Sequence, residues 1–217
     1  MSDPLPVPAR AVRTELVVER SRFLTTLEPV ASVADAEDVV ARVRREFPDA
    51  RHHCTAWVLG EDGQGQRSSD DGEPAGTAGA PMLAALRGAG VSDVAVVVTR
   101  WFGGVLLGTG GLVRAYGGSV SAALTGAGTV ARRWVELVRV SAGLADGGRV
   151  EAELRRAFAV EDVQWAGDGW HAVVAVARGG ADGLAAHLAA VSLTVTVEGL
   201  GPAVRPVPGV ARRPAPD

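Results

Sequence analysis

Between Thr99 and Tyr116 the chain reads T-R-W-F-G-G-V-L-L-G-T-G-G-L-V-R-A-Y, a run with arginine near both ends and glycine at five positions between them. Arg100 leaves an apolar stretch that has the composition of a buried strand, Trp101 and Phe102 offer flat apolar surface, and Gly103 and Gly104 allow another backbone to come close. Gly108, Thr109, Gly110 and Gly111 then open a helical pattern, and free amides at a helix start hold anions through hydrogen bonds and the positive end of the dipole. Arg114, four positions beyond Gly110, could face the same anion. The candidate anion or nucleic-acid site is therefore Arg100, Gly103, Gly104, Gly108, Thr109, Gly110, Gly111 and Arg114. The purely structural alternative makes Thr109 an N-cap and uses the glycines for helix–sheet packing. A Walker loop is excluded, because all 22 basic residues are arginine and the phosphate lysine does not exist.

A second stretch, Ser68 to Pro81, places Asp70, Asp71 and Glu73 within four positions ahead of a small-residue helix. These carboxylates could bind a cation or cap the turn that follows. Upstream, Arg51, His52, His53 and Cys54 lead into a strand, where alternate residues point to opposite faces, so at most His52 and Cys54 share one. No metal site is expected from them. His52, His53, Asp71, Glu73 and Thr77 are expected to border the cleft, with His53 and Asp71 as the weak candidates for proton transfer. Cys54 has no helix start beside it and is a poor candidate for an activated thiol. Trp165 or Trp170, if exposed on a sheet face, could stack on a base.

The elements that position these residues follow from periodicity. Strands are expected over 14–18 and 23–27 and a helix from Ser32 to Phe47, stopped by Pro48. A strand over 53–59, a hairpin or loop over 60–76, a helix from Thr77, a strand over 91–99 and a helix over 110–124 come next. After Gly128 the pattern restarts as βαββαβ, with strands over 135–140, 160–165, 169–177 and 192–198 and helices over 148–158 and 181–190. That order is the ferredoxin-like arrangement, so the fold class is α+β in two domains, residues 14–130 and 131–203. Proline density marks 1–13 and 204–217 as flexible tails.

With 217 residues, 47% hydrophobic and 22% charged side chains, the chain can bury a core and is not disordered. A net charge of −3 argues against coating nucleic acid by bulk charge and leaves a local arginine cluster. One cysteine precludes an internal disulfide, no apolar run reaches a membrane span, and no signal-peptide core opens the chain, so a cytoplasmic protein is expected with no membrane partner.

The segments H-H-C-T-A-W at His52 to Trp57, D-G-E-P-A-G-T-A-G-A-P at Asp71 to Pro81 and V-V-T-R-W-F-G-G-V-L-L-G-T-G-G-L-V-R-A-Y at Val97 to Tyr116 resemble the hallmarks of the YigZ/IMPACT family, over about residues 14 to 125. Ala75 and Trp101 depart from its usual Ser and frequent Tyr. The resemblance implies a first domain with the βαβ fold shared by ribosomal proteins and GHMP-type kinases, and a second like the C-terminal domains of elongation factor G. It also implies the translation sphere, with RNA, the ribosome or a translation-related protein as partner. The residues favour a binding protein without cofactor over an enzyme. An enzyme acting on a phosphorylated small molecule or RNA, and a pure protein-interaction module, are the alternatives.

Overall fold

The computed structural model describes residues 3–212. Contacts divide it into two units, Arg133–Arg205 and the described residues before and after that span.

The first unit carries five strands: β2 (Val12–Val18), β3 (Ser21–Pro29), β4 (His52–Leu59), β5 (Gly65–Ser69) and β6 (Val94–Trp101). They lie in the order β2-β3-β6-β4-β5, each pair of neighbours antiparallel. β6 is central, and its unbroken apolar run follows from being covered on both faces. Val94, Val96 and Val98 join a core with α2 (Gly79–Gly88) and α3 (Gly108–Ala127), built around Phe23, Met82, Leu86, Tyr116 and Val120. Ala95 and Val97 point the other way, into a core with Val39, Val43 and Trp57 under α1 (Val33–Glu46).

Each helix starts for a readable reason. Ser32 Oγ accepts the Asp35 amide at 3.1 Å and Asp35 accepts the Ala31 amide at 3.0 Å, a reciprocal cap on α1. α2 begins at Gly79 rather than Thr77 because its amides are capped by Asp70 from outside the helix. Its Pro81 falls in the first turn, where no amide is needed. α3 starts at Gly108, two residues before the expected position, and its N-cap is Leu107 with no side-chain cap, so Thr109 is not the cap.

The expectation of a flexible tail over 1–13 is overturned. Leu5 donates its amide to Glu61 O at 2.8 Å, Ser92 donates to Pro6 O at 3.0 Å, and Arg132 Nε donates to Leu5 O at 2.6 Å. β1 (Val7–Pro8) pairs with Val130 and Thr129. Proline removes an amide donor but leaves the carbonyl, and a two-residue strand needs few donors. The tail expected over 204–217 also fails as far as Arg212, the end of β10; residues 1–2 and 213–217 lie outside the described part.

The second unit is built on the parts of β7 (Thr129–Ala142) and β10 (Thr196–Arg212) that lie within Arg133–Arg205, with α4 (Leu144–Ala157), β8 (Ala159–Ala166), β9 (Gly169–Ala177) and α5 (Ala181–Ala189) between them, in the chain order βαββαβ. β7 pairs with β10 and β9, and β9 pairs with β8. Trp170 fills its core with Val138, Val150, Leu154, Leu184 and Leu188, its indole donating to Glu151 at 3.0 Å. Trp170 is thus no stacking platform; Trp165 is the exposed one. Among the described residues no helix is long and apolar enough to cross a membrane.

Candidate functional site

The acidic loop after β5 is consumed by internal bonding, one carboxylate at a time. Asp70 accepts the amides of Gly76, Ala78 and Gly79 at 2.8, 3.0 and 2.8 Å, which folds the loop over the start of α2. Burial raises the pKa of Asp70, but these amides together outweigh it and hold the carboxyl below its ordinary value. Asp71 accepts the His53 amide at 2.6 Å and pairs with Arg44 of α1. Glu73 is buried, its Oε1 accepting from Arg100 Nη1 at 2.7 Å and from the Tyr116 hydroxyl at 2.7 Å.

Arg100 is therefore not a free phosphate clamp. Its side chain is 6% exposed against 3% for Glu73, and a charge that far from water requires the partner. Nη2 donates to Ser21 Oγ at 3.2 Å, while Nε is buried with no partner. The guanidinium sits between the rings of Phe23 and Phe102, at 5.3 and 5.7 Å. Ser21 Oγ also accepts the Gly103 amide at 3.2 Å. A Cβ on Gly103 would stand 2.0 Å from the Arg20 carbonyl carbon, so the close backbone approach expected of this glycine is real and strict. Gly104 and Gly108 have φ of +85° and +67°, conformations that shape the loop between them.

Above this pair opens a cleft of about 410 Å³, lined by Arg51, His52, Glu73, Arg100, Phe102 and the Gly108–Thr109 start of α3, among others. His52 Nδ1 lies 2.8 Å from the Asp71 carbonyl, which can only accept, so that nitrogen carries the proton. His53 and Asp71, the candidate proton carriers, do not line the cleft. Strand alternation turns His53 toward the α1 side, where it is buried with Nδ1 3.1 Å from Thr99 Oγ1. Burial, then the charge of Arg44, keeps its pKa below the ordinary value. Thr77 is not at the cleft either; it is buried and donates its hydroxyl to Pro74 O at 2.7 Å.

Arg114 lines a separate hollow of about 450 Å³ with Leu16, Gly111 and Leu106, so the two expected arginines do not grip one group. Arg114 is exposed and makes no hydrogen bond or ion pair among the described residues, and the exposed Glu19 lines the same hollow. Its Nη1 lies 3.5 Å from where a Gly110 Cβ would stand, over the first turn of α3 as the four-residue spacing suggested. The hollows share Leu106 and Leu107.

Cys54 is buried under the loop, its sulfur 3.0 Å from the Asp70 carbonyl and 3.3 Å from the Tyr116 hydroxyl. Burial pushes this thiol up to about 12 and raises the Tyr116 hydroxyl as well, so both stay protonated. Among the described residues no group of three or more His, Cys, Asp or Glu is placed to hold a metal.

Arg51 and Phe102 are among the cleft residues that sequence reasoning left out of the site, as are Leu106 and Leu107. For the first two the available signal was type alone: an arginine next to the histidine pair and an aromatic between Arg100 and two glycines.

The hallmark segments thus line one cleft in the first unit. A model of the Impact N-terminal domain matches residues 19–124. The chain is 55% identical over 120 residues to IMPACT family member YigZ of Escherichia coli (strain K12), covering 54% of this chain and 59% of that protein, so the match spans about three fifths of that relative. It is 41% identical over 152 residues to IMPACT family member YvyE of Bacillus subtilis (strain 168), covering 70% of each. A crystal structure described as a hypothetical protein superposes with a TM-score of 0.69 at 38% identity, covering 91% of this chain and 98% of that one. With a cleft built from the shared segments and likeness extending well past them, this chain belongs to the IMPACT family.

Proposed function

We propose that this chain is a cytoplasmic, non-enzymatic regulator of translation that binds single-stranded RNA in the Arg51–Phe102 cleft. Family membership supports the translation role, as the resemblance of the hallmark segments implies. Within that reading the first unit is the ribosomal-protein and GHMP-kinase type of βαβ domain. The second is ferredoxin-like and akin to the C-terminal domains of elongation factor G; its strand order β10-β7-β9-β8 supports that likeness.

The observation that carries the RNA reading is a stacking surface beside an anion seat. Phe102 is 46% exposed and is backed by the Arg100 guanidinium, while Arg51, exposed and unpaired among the described residues, borders the start of α3, which has no side-chain cap, in the same cleft. Phosphate on bare amides and arginine with a base on an aromatic face is how single strands are held without sequence reading. The Arg100–Glu73 pair cancels its own charge, so Arg51 and the helix dipole set the sign of the cleft. His53 and Asp71 lie away from it, which favours binding over proton transfer.

The test is fluorescence anisotropy of a labelled RNA oligonucleotide across a salt series. Arg51→Ala should flatten the log–log salt slope by about 0.7 per lost phosphate contact. Phe102→Ala should weaken binding by about 1–3 kcal/mol, roughly five- to 150-fold, with the slope kept. Affinity indifferent to salt and to both substitutions refutes this reading and leaves a protein-interaction module.

A further inference from the structure

β2 is the end strand of the sheet in the first unit, paired with β3 on one side and with nothing on the other among the described residues. The β2–β3 hairpin turns through Glu19 and Arg20, both in the left-handed region at φ of +45° and +65°, so Val18 and Ser21 form its closing hydrogen-bonded pair. Alternation along the ladder then turns the backbone groups of Val18, Leu16, Thr14 and Val12 toward β3 and those of Val17, Glu15 and Arg13 outward. The usual devices that blunt such an edge are missing. β2 holds no proline, its ladder has no bulge, and Leu16 and Val17 are 37% and 62% exposed. Its charges do not repel a neighbour as a block, because Arg13 pairs with Glu46 and Glu15 lies 2.9 Å from Arg22.

We infer that β2 is an interface between two copies of this chain, its outer edge pairing antiparallel with the same edge of the second copy about a two-fold axis through Thr14. Outward backbone groups can meet only outward groups, which restricts the two-fold registers to those centred on Arg13, Thr14, Glu15 or Leu16. A centre at Arg13 sets that arginine against itself and one at Glu15 sets that glutamate against itself, both repulsive. A centre at Leu16 sets Glu15 against Val17 and draws no pair of opposite charges from the strand. The Thr14 centre sets Arg13 of each copy against Glu15 of the other, so Glu46, Arg13, Glu15 and Arg22 alternate in sign across the junction. On the opposite face Val12 of one copy covers the exposed Leu16 of the other. The side of α3 above this edge is small: Gly111 and Ala115 line the hollow beside Leu16 and Val18, Gly126 stands over Thr14, and Gly118 and Ala122 continue the same helical row. A second backbone therefore has room alongside β2.

Sedimentation equilibrium of the full chain over a concentration series should show the mass rising from one chain to two. Arg13→Glu makes both cross-strand pairs acid against acid, and Glu15→Arg makes both base against base, so each variant alone should associate about tenfold more weakly. Mixed in equal amounts, the two variants restore opposite charges in both pairs and should form a heterodimer about tenfold tighter than either does alone, a result that a misfolded variant could not give. Hydrogen exchange at the Arg13 and Glu15 amides should slow as the wild-type dimer forms, while the Thr14 and Leu16 amides, bonded to β3, stay protected at every concentration. A single-chain mass up to millimolar concentration overturns the pairing and leaves this edge to a strand of another protein. A dimer that persists in each variant alone, variants that stay apart when mixed, or Arg13 and Glu15 amides that exchange freely in the dimer overturn it as well.

Discussion

Replacing Glu73 by glutamine tests whether the floor of the cleft is the buried ion pair described above. The Glu73 and Arg100 side chains are 3% and 6% exposed, and their 2.7 Å contact is the only carboxylate contact made by that guanidinium among the described residues. Glu73→Gln keeps the shape and an acceptor for Tyr116, but leaves the Arg100 charge uncompensated in a site that already contains one unpartnered buried Nε. Removing one member of such a pair costs about 3–5 kcal/mol, because the remaining charge stays desolvated. Adding Arg100→Met removes that charge while keeping apolar volume between Phe23 and Phe102, so the double variant should recover most of the loss. Hydrogen exchange of the β6 amides in a urea series reads this unit directly, since β6 is its central strand. A cost below about 1 kcal/mol for Glu73→Gln, or a double variant no better than the single, would mean that the pair is open to water.

Asp70→Ala strips the acceptor from three amides at once and should destabilise the first unit by about 2 kcal/mol, measured by the same exchange experiment. Cys54 should resist a thiol reagent at pH 8 in the native protein and react only on unfolding, because burial pushes its thiol up to about 12. Acid should destabilise the protein in two stages. The unfolded chain protonates its histidine near 6.5 while buried His53 resists, so stability starts to fall below that pH; Asp70, held below its ordinary 3.8, gives up its contribution as pH falls below that value. A urea midpoint flat from pH 7 to 4 would contradict the burial of His53. Gly103→Ala forces a Cβ into the Arg20 backbone and should lower the stability of the first unit, read by the same exchange experiment.

The architecture was legible where periodicity is strong. The valine run 94–98 announces a strand covered on both faces, and the restart after Gly128 announces the second unit. What misled was proline and glycine. Pro4, Pro6 and Pro8 suggested a loose end, yet the carbonyls of Leu5 and Pro6 are acceptors for Arg132 and Ser92, partners more than 80 positions away in the chain. Thr109 looked like a cap because hydroxyls favour that position, but the N-cap of α3 lies two positions earlier, at Leu107. The site was half legible. Which residues gather was given by the motifs, whereas which histidine faces the cleft depends on strand parity, and His52 rather than His53 has it. Pairing was invisible: nothing in the spacing of 27 positions ties Arg100 to Glu73.

That pairing also bears on the proposed anion site, which in a chain of net charge −3 stands beside three carboxylates. Each acid is neutralised where it stands, Asp70 by amides, Asp71 by Arg44 and Glu73 by Arg100. Burying Arg100 gives up one cation at the cleft, but it removes the nearest carboxylate as a source of repulsion and stiffens Phe102 from behind. At the mouth of the cleft Arg51, which makes no ion pair among the described residues, stands beside the start of α3, which has no side-chain cap. A basic chain would bring anions to its whole surface; the proposed function places them at one cleft, so association should depend on salt through a few contacts only. A measured salt slope of about one to two is the value this arrangement demands, and a slope far above it would place the contact surface elsewhere on the molecule.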